Sequence, residues 1–307
     1  TIWKDGFKME ENKKKKKKSM KWIPWLLVLP VVIIRGFTTL YPILMTVKNS
    51  FCDIRILAGV DEFCGFKNYL KVFSDPKVLT SIRFTVVFVV VSMILHVILG
   101  VCLALILNMK FKGRRFLRTI VLIPWAMPAV VVGMAAKWAF NNDYGLINDF
   151  IRWFVHGYQN SWLINTGSAR AAVIAVDLWK DLPFFAILVL SGLQFISGDI
   201  YEAAKVDGAN KFQTFIQIVL PLVMPGIVAT AIYTFINAWN EFLYSLILIN
   251  STDKMTVSVA LKSLQGAEIL NWGDMMAASA LVVVPSVIFF MFIQNKIAGG
   301  MTEGAVK

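Results

Sequence analysis

GDIYEAAKVDGANKFQTFIQIVLPLVMPG, residues 198–226, is the polar interruption between two long apolar segments. It reads as two helical pieces that meet at Gly208. The first, about 199–207, carries Glu202, Ala203 and Ala204 near its start, where an acidic side chain suits the helix dipole. Gly208 then supplies a turn that a Cβ-bearing residue would resist. The second piece sets Phe212, Phe215 and Ile216 at helical spacing, an apolar stripe fit to lie on the floor of a bundle. Leu220 and Pro221 begin the return into the next apolar segment. On periodicity alone this is a surface helix–turn–helix.

Six apolar segments surround that interruption, at about 22–41, 84–107, 119–140, 171–196, 224–249 and 276–297. Each approaches the length of about 20 residues that crosses about 30 Å of hydrocarbon. Composition points the same way: 57% of the 307 residues are hydrophobic and 16% charged, with a mean hydropathy of +0.66. A soluble domain of this size would have to expose large apolar patches, and a disordered chain would not carry this composition. The expected fold class is an all-α polytopic membrane protein of six transmembrane helices. Pro124 and Pro128, Pro183 and Pro285 interrupt spans three, four and six; freed carbonyls of this kind are satisfied inside a bundle and often line a cavity.

The net charge of +12 is concentrated rather than spread. Nine of the 31 Lys and Arg precede the first span, six of them in the run Lys13–Lys18. No aromatic residues interleave with that run, which argues against nucleic acid. With the amino terminus placed in the cytoplasm, inside segments hold eighteen basic residues and outside loops nine. The positive-inside rule therefore puts both termini in the cytoplasm. The first apolar segment is not a cleaved signal, because Arg35 interrupts it and no small-residue cleavage site follows. The chain starts at Thr1, and Met9 is a candidate initiator. Domains follow as a basic tail at 1–21, a six-span membrane domain at 22–298 with a connecting loop at 197–221, and a tail at 299–307. Three cysteines exclude a disulfide framework; Cys52 and Cys64 share one outward loop, where they either pair or stay as thiols.

Charged and amide side chains inside spans face a bundle interior or a wet cavity. Span four holds Asp177, Lys180 and Asp181 beside Trp179, with Lys180 in helical reach of Asp177. A structural ion pair and a place on a translocation path are both open readings. In span five Asn237, Asn240, Glu241 and Tyr244 recur every three or four residues and are expected on one helix face beside Trp239. Amides, a carboxylate and a phenol next to an indole suit a hydroxyl-rich ligand; span packing is the competing role. His96 reads as a packing residue. No phosphate-binding G-x-x-x-x-G-K-[ST] loop, HExxH, CxxC or G-x-S-x-G pattern is present, and no metal-ligand set, so no catalytic residue is expected. An ion-driven secondary carrier with Asp177, Lys180 and Glu241 as a relay is the alternative, though the inverted repeats common in such carriers are not evident.

The spacing of the central stretch is more specific than its periodicity. Glu202-Ala203-Ala204, three residues, Gly208, nine residues, then Ile218-Val219-Leu220-Pro221 resembles the EAA-x3-G-x9-I-x-L-P signature of the membrane subunits of binding-protein-dependent ABC importers. Gly65-Phe66-Lys67-Asn68-Tyr69, Phe116-Leu117-Arg118-Thr119, Pro124-Trp125-Ala126-Met127-Pro128, Asn142 to Asn148, Trp239-Asn240-Glu241-Phe242 and the tail Gly300 to Lys307 are similar to the carbohydrate, maltose-type branch. The resemblance implies a type I ABC importer permease fold in the bacterial inner membrane. It implies that Glu202, Ala203, Ala204, Asp207, Gly208, Leu220 and Pro221 form a coupling helix and its frame, seated on a separate ATPase. It further implies a second permease subunit, two ATPase copies that hold ATP and magnesium, an extracytoplasmic solute-binding protein and a sugar or oligosaccharide cargo. The substrate path would run past Trp179, Lys180, Asp181, Asn237, Trp239, Asn240, Glu241 and Tyr244. The outward loop with Gln265, Gly266 and Trp272 would face the binding protein.

Overall fold

The computed structural model describes residues 22–251, 255–263 and 271–303. The basic head, Gln265, Gly266 and residues 304–307 lie outside that set. The described chain is mostly helical, with one two-stranded sheet, and falls into two compact units.

One unit comprises residues up to Asn68 together with Asn271–Ala280. Helix α1 (Ile23–Arg35) passes through a π-turn, Gly36–Leu40, into α2 (Tyr41–Asn49). The 27-residue rod carries a span's hydropathy with none of its most apolar stretch buried; its natural solvent is hydrocarbon. The π-turn closes with the Tyr41 N–H on the Gly36 carbonyl, one residue before Pro42. Proline lacks an N–H and crowds the carbonyl four residues back, so the preceding turn widens. After α2 the strands β1 (Cys52–Arg55) and β2 (Val60–Phe63) pair antiparallel, Cys52 opposite Phe63. Gly59 closes the loop at φ +63°. Asn68 donates to the Ser50 and Cys52 carbonyls, both at 2.9 Å. Asn271 donates to Asp53 at 2.9 Å. Arg55 forks onto Asp53 at 2.9 and 2.8 Å and holds that carboxyl below the usual carboxylate range. Cys52 and Cys64 are free thiols.

The second unit runs from Tyr69 to Leu270 and from Leu281 onward. After α3 (Lys67–Ser74), which starts just before it, come α4 (Pro76–Asn108), α5 (Arg114–Val121), α6 (Ile123–Ala126), α7 (Ala129–Ala139), α8 (Leu146–Arg152) and α9 (Thr166–Gln194). Then follow α10 (Gly198–Val206), α11 (Lys211–Thr214), a π-turn at Phe215–Val219, α12 (Leu220–Trp239), α13 (Leu243–Leu248), α14 (Val257–Ser263) and α15 (Trp272–Glu303). Helices α4, α9 and α12 pack on one another around two apolar cores. One joins Phe84 and Phe88 to Val173, Val176 and Phe235. The other joins Ala104 and Leu107 to Phe185, Val189, Leu193, Val219 and Val223. Gly100 is required in α4, because a Cβ there would enter the Phe185 ring.

The span count differs from the expected six. Among the described residues four helices are long and apolar enough to cross a membrane, and a fifth if the pair Arg114–Ala126 and Ala129–Ala139, bent by 90°, counts as one. The bend falls between Pro124 and Pro128, with Met127 extended at ψ 140°. The remaining candidate, α9, has 29 residues, but every 18-residue window in it contains Asp177, Lys180 and Asp181. Its length suits a span; its charges keep it below a lipid-facing composition. Span five also differs: α12 stops at Trp239, and Asn240 to Phe242 break it before α13.

Candidate functional site

The 198–226 stretch folds around a doubly capped corner. At the end of α10, Gly208 takes φ +80°, the left-handed conformation that L residues resist. Its N–H bonds to the Lys205 carbonyl at 3.2 Å, and the Ala209 N–H reaches back to the Ala204 carbonyl at 2.9 Å. These bonds satisfy carbonyls that the helix end would orphan. Two residues on, Asn210 caps α11: its side chain accepts from the Phe212 and Gln213 N–H groups at 3.0 and 2.9 Å. The Gln213 side chain accepts the Asn210 N–H at 2.9 Å, completing a reciprocal box. The exit angle of α10 is thus set from both sides.

The faces of α10 divide its motif. Glu202, Ala203, Asp207 and Gly208 are exposed, while Ala204 is only 3% exposed. Ala204 is the foot that seats the helix on its own chain, and Glu202 and Ala203 stay open on the other side. Phe195 and Val206, 88% and 85% exposed, flank the helix with apolar side chains. Nothing in the periodicity singled them out. The expected floor stripe holds in part, because Phe215 packs against the core while Phe212 and Ile216 are exposed. Leu220 and Pro221 open α12, which continues α11 and the π-turn without a break. The chain is helical from Lys211 to Trp239, and the Leu220 N–H bonds to the Phe215 carbonyl in a widened turn just before Pro221. This repeats the geometry at Pro42, for the same reason.

A groove of about 880 Å³ separates the end of α4 from the loop, with Ile106, Asn108 and Met109 on one side and Tyr201, Lys205 and Lys211 on the other. Burial pushes the Tyr201 phenol up from its ordinary value.

The polar groups of the spans are arranged differently from their sequence spacing. Lys180 pairs with Asp181 at 3.4 Å rather than with Asp177, and its ammonium also reaches the Trp125 carbonyl at 3.4 Å. Asp177 is buried and accepts from the Ser92 hydroxyl at 2.5 Å. His96 lies on Ser92, with Nδ1 2.9 Å from its carbonyl, as a packing residue would. Trp125, exposed by the break in its span, stacks on Phe184 at 4.6 Å, and Phe184 meets Tyr233 at 5.0 Å. Trp179 is 53% exposed.

On α12 the exposed polar face is Tyr233, Asn237 and Asn240. Both amides donate to carbonyls one turn back, Asn237 to Tyr233 at 2.9 Å and Asn240 to Ile236 at 2.8 Å. Those bonds leave each amide oxygen for other donors. Glu241 and Tyr244 are not on that face; both are buried beyond the helix break. The Glu241 carboxylate accepts from the Tyr244 and Ser245 N–H groups at 2.6 and 3.1 Å and so caps α13. Trp239 is also buried, and its indole N–H goes to the Val282 carbonyl at 3.0 Å, in the turn before Pro285. The structure therefore links the part-buried Lys180–Asp181 pair, through Trp125 and Phe184, to the exposed Tyr233 and Asn237. Glu241, Tyr244 and Trp239 hold the break together.

Residues 96–303 match the family model described as "Binding-protein-dependent transport system inner membrane component". The chain is 34% identical, over 87% of its own length and 90% of the relative's, to the trehalose/maltose transport system permease protein MalF of Thermococcus litoralis. It is 33% identical over 72% of its length and 75% of the relative's to the sulfoquinovosyl glycerol transport system permease protein SmoG of Agrobacterium fabrum. A bacterial alginate ABC transporter, crystallised with an alginate pentasaccharide-bound periplasmic protein, contains a chain that superposes with a TM-score of 0.75 at 22% identity. That match covers 90% of this chain and 94% of the other, and establishes likeness of fold.

Proposed function

The chain belongs to the binding-protein-dependent transport system inner membrane components, and from that premise we propose that it is one permease half of an ATP-driven importer of sugars or oligosaccharides. The half-path is built from the opened third span and the exposed face of α12. Trp125, Phe184 and Tyr233 offer ring faces for a pyranose to stack on. Asn237, Asn240, Lys180 and Asp181 offer donors and acceptors for its hydroxyls. Relatives named for trehalose, maltose and sulfoquinovosyl glycerol support a carbohydrate cargo. The ion-driven carrier finds no support in this family.

The observation that carries the reading is the exposed α10, with bare apolar flanks and a corner to α11 that is capped from both sides. It is fit to dock a separate ATPase, which would hold ATP and magnesium; this chain has no phosphate loop of its own. When two ATPase subunits close on nucleotide, the docked helices of this chain and of a second permease move with them, and the bundle turns between inward-open and outward-open states. Glu202 is placed to receive a basic group of the ATPase. A solute-binding protein delivers the cargo on the outer face, with both termini of this chain in the cytoplasm.

Proteoliposomes test this directly, with maltose and trehalose as first probes. Uptake is expected only with ATP on the ATPase side and with the binding protein present; uptake that persists without the ATPase and follows a proton or sodium gradient overturns the proposal. Within a working importer, Tyr233→Ala or Asn237→Ala is expected to raise the KM for uptake about tenfold, the scale of one lost hydrogen bond or stacking contact. An unchanged KM in both variants would remove that face from the path.

A further inference from the structure

Helix α5 begins at Arg114 after a basic connection, and Leu117 and Val121 seat it in the core formed by Leu107, Val189 and Leu193. Arg118, one residue beyond Leu117, is half-buried. Its guanidinium donates from Nε and Nη2 to the Leu107 carbonyl at 3.2 and 2.8 Å. With the Gln194 amide turned so that its oxygen faces the guanidinium, Nη1 and Nη2 donate to that oxygen at 3.0 and 2.9 Å. Leu107 is next to the last residue of α4, and Gln194 is the last residue of α9. One fork therefore binds two helix C-termini, where orphan carbonyls and the helix dipoles favour a cation. Only a planar group with several fixed donors can do this; a lysine ammonium would have to choose.

The position of that fork matters for force. Only three residues separate Gln194 from the start of α10. Residues of α10 and of the end of α4 line opposite sides of one groove. A hydrogen-bonded route from α10 to α4 runs back along the chain to Gln194 and through Arg118. We propose that Arg118 is a positioning residue that makes the ends of α4 and α9 move as one body, so that displacement of α10 reaches α4 as well as α9. This deepens the importer reading above and rests on it.

The test uses the assembled importer in nanodiscs, with the free thiols Cys52, Cys64 and Cys102 replaced by serine and spin labels at Met109→Cys and Phe195→Cys, two exposed positions on either side of the fork. With Arg118 in place the label separation is expected to be narrow and the same in the nucleotide-free and ADP–vanadate states. In Arg118→Gln it is expected to broaden and to change between those states. Uptake per ATP hydrolysed should fall at least about tenfold, the scale of losing a hydrogen bond to a charged group, while hydrolysis itself continues. A residue needed only for folding would lower protein yield without moving that ratio. Should Arg118→Gln fail to assemble, Gln194→Leu removes half of the fork's bonds at an exposed side chain and should show the same broadening. A native separation that already changes with nucleotide overturns the latch, as do variants with native separation and native coupling. Failure of the importer reading looks different: the native complex would take up its probe without regard to ATP, whatever the labels report.

Discussion

Gly208→Val is expected to cut ATP-driven uptake at least about tenfold while the protein still inserts and accumulates normally. A Cβ at Gly208 would meet no atom within 4 Å, so the substitution makes no clash. The whole cost lies in the backbone, which stands at φ +80°. An L residue pays about 1–2 kcal/mol there, and a β-branched one more. That is too little to unfold a bundle built on two cores, but it matches the strength of the bonds that hold the corner, so it shifts the corner out of its docked angle. A graded series follows. Asparagine, which tolerates this conformation, should retain most uptake; alanine should lose part; valine should lose nearly all. Uptake rates normalised to membrane-inserted protein read the series. Equal rates for Asn, Ala and Val would mean that the angle between α10 and α11 carries no force. A second way to loosen the same corner is Asn210→Ala, which removes the acceptor for two N–H groups and should resemble Gly208→Ala more than Gly208→Val.

That corner was legible before any coordinates, because glycine at a helix end has one dominant physical use, and the signature fixed its distance from Glu202. The opposite cap has a sequence signal too: Asn210-Lys211-Phe212-Gln213 is a capping-box pattern, overlaid by the aromatic stripe of Phe212 and Phe215. Other features were hidden for stated reasons. Periodicity assumes an unbroken helix, and residues 224–249 look unbroken because Asn237, Asn240, Glu241 and Tyr244 recur every three or four residues. A glutamate can turn back and cap the next helix, ending the period that placed it on a face with Asn237. Spacing likewise paired Lys180 with Asp177, since i and i+3 are neighbours on a helix; Ser92, from a helix 85 residues away in sequence, supplies the Asp177 partner instead. Ala204 shows the limit of motif reading in the other direction. A motif says which residues matter together, and only packing shows that one of them faces inward. Span four was found by length and hydropathy although its charges make it the least lipid-like of the rods; the aromatic stack of Trp125, Phe184 and Tyr233 joins three separate segments and has no signal in any one of them.

Glu241→Ala provides the sharpest separation between a cargo contact and a structural cap. The carboxylate is 7% exposed and holds the N–H groups of Tyr244 and Ser245. The Glu241 backbone carbonyl accepts from the Thr256 hydroxyl at 2.9 Å, and the Thr256 N–H bonds to the Ser245 hydroxyl oxygen at 2.9 Å. Next to it, the Val257 N–H reaches Thr85 on α4 at 2.9 Å. The cap therefore anchors both α13 and the 255–257 segment to the bundle. Alanine would strand two buried donors, each costing about 1–3 kcal/mol, a large fraction of the 5–15 kcal/mol that typically separates folded from unfolded. The expected result is a marked fall in yield and in thermal midpoint, read by the melting of detergent-solubilised protein, with an unaltered KM for uptake in the protein that survives. Glutamine keeps one carboxamide oxygen as acceptor and should recover part of the lost midpoint. A residue that bound cargo would show the reverse pattern: a midpoint close to native in Glu241→Ala and a KM raised in both variants. In that event the break at Asn240 to Phe242 would belong to the transport path, and Tyr233 and Asn237 would have to share it with a buried carboxylate.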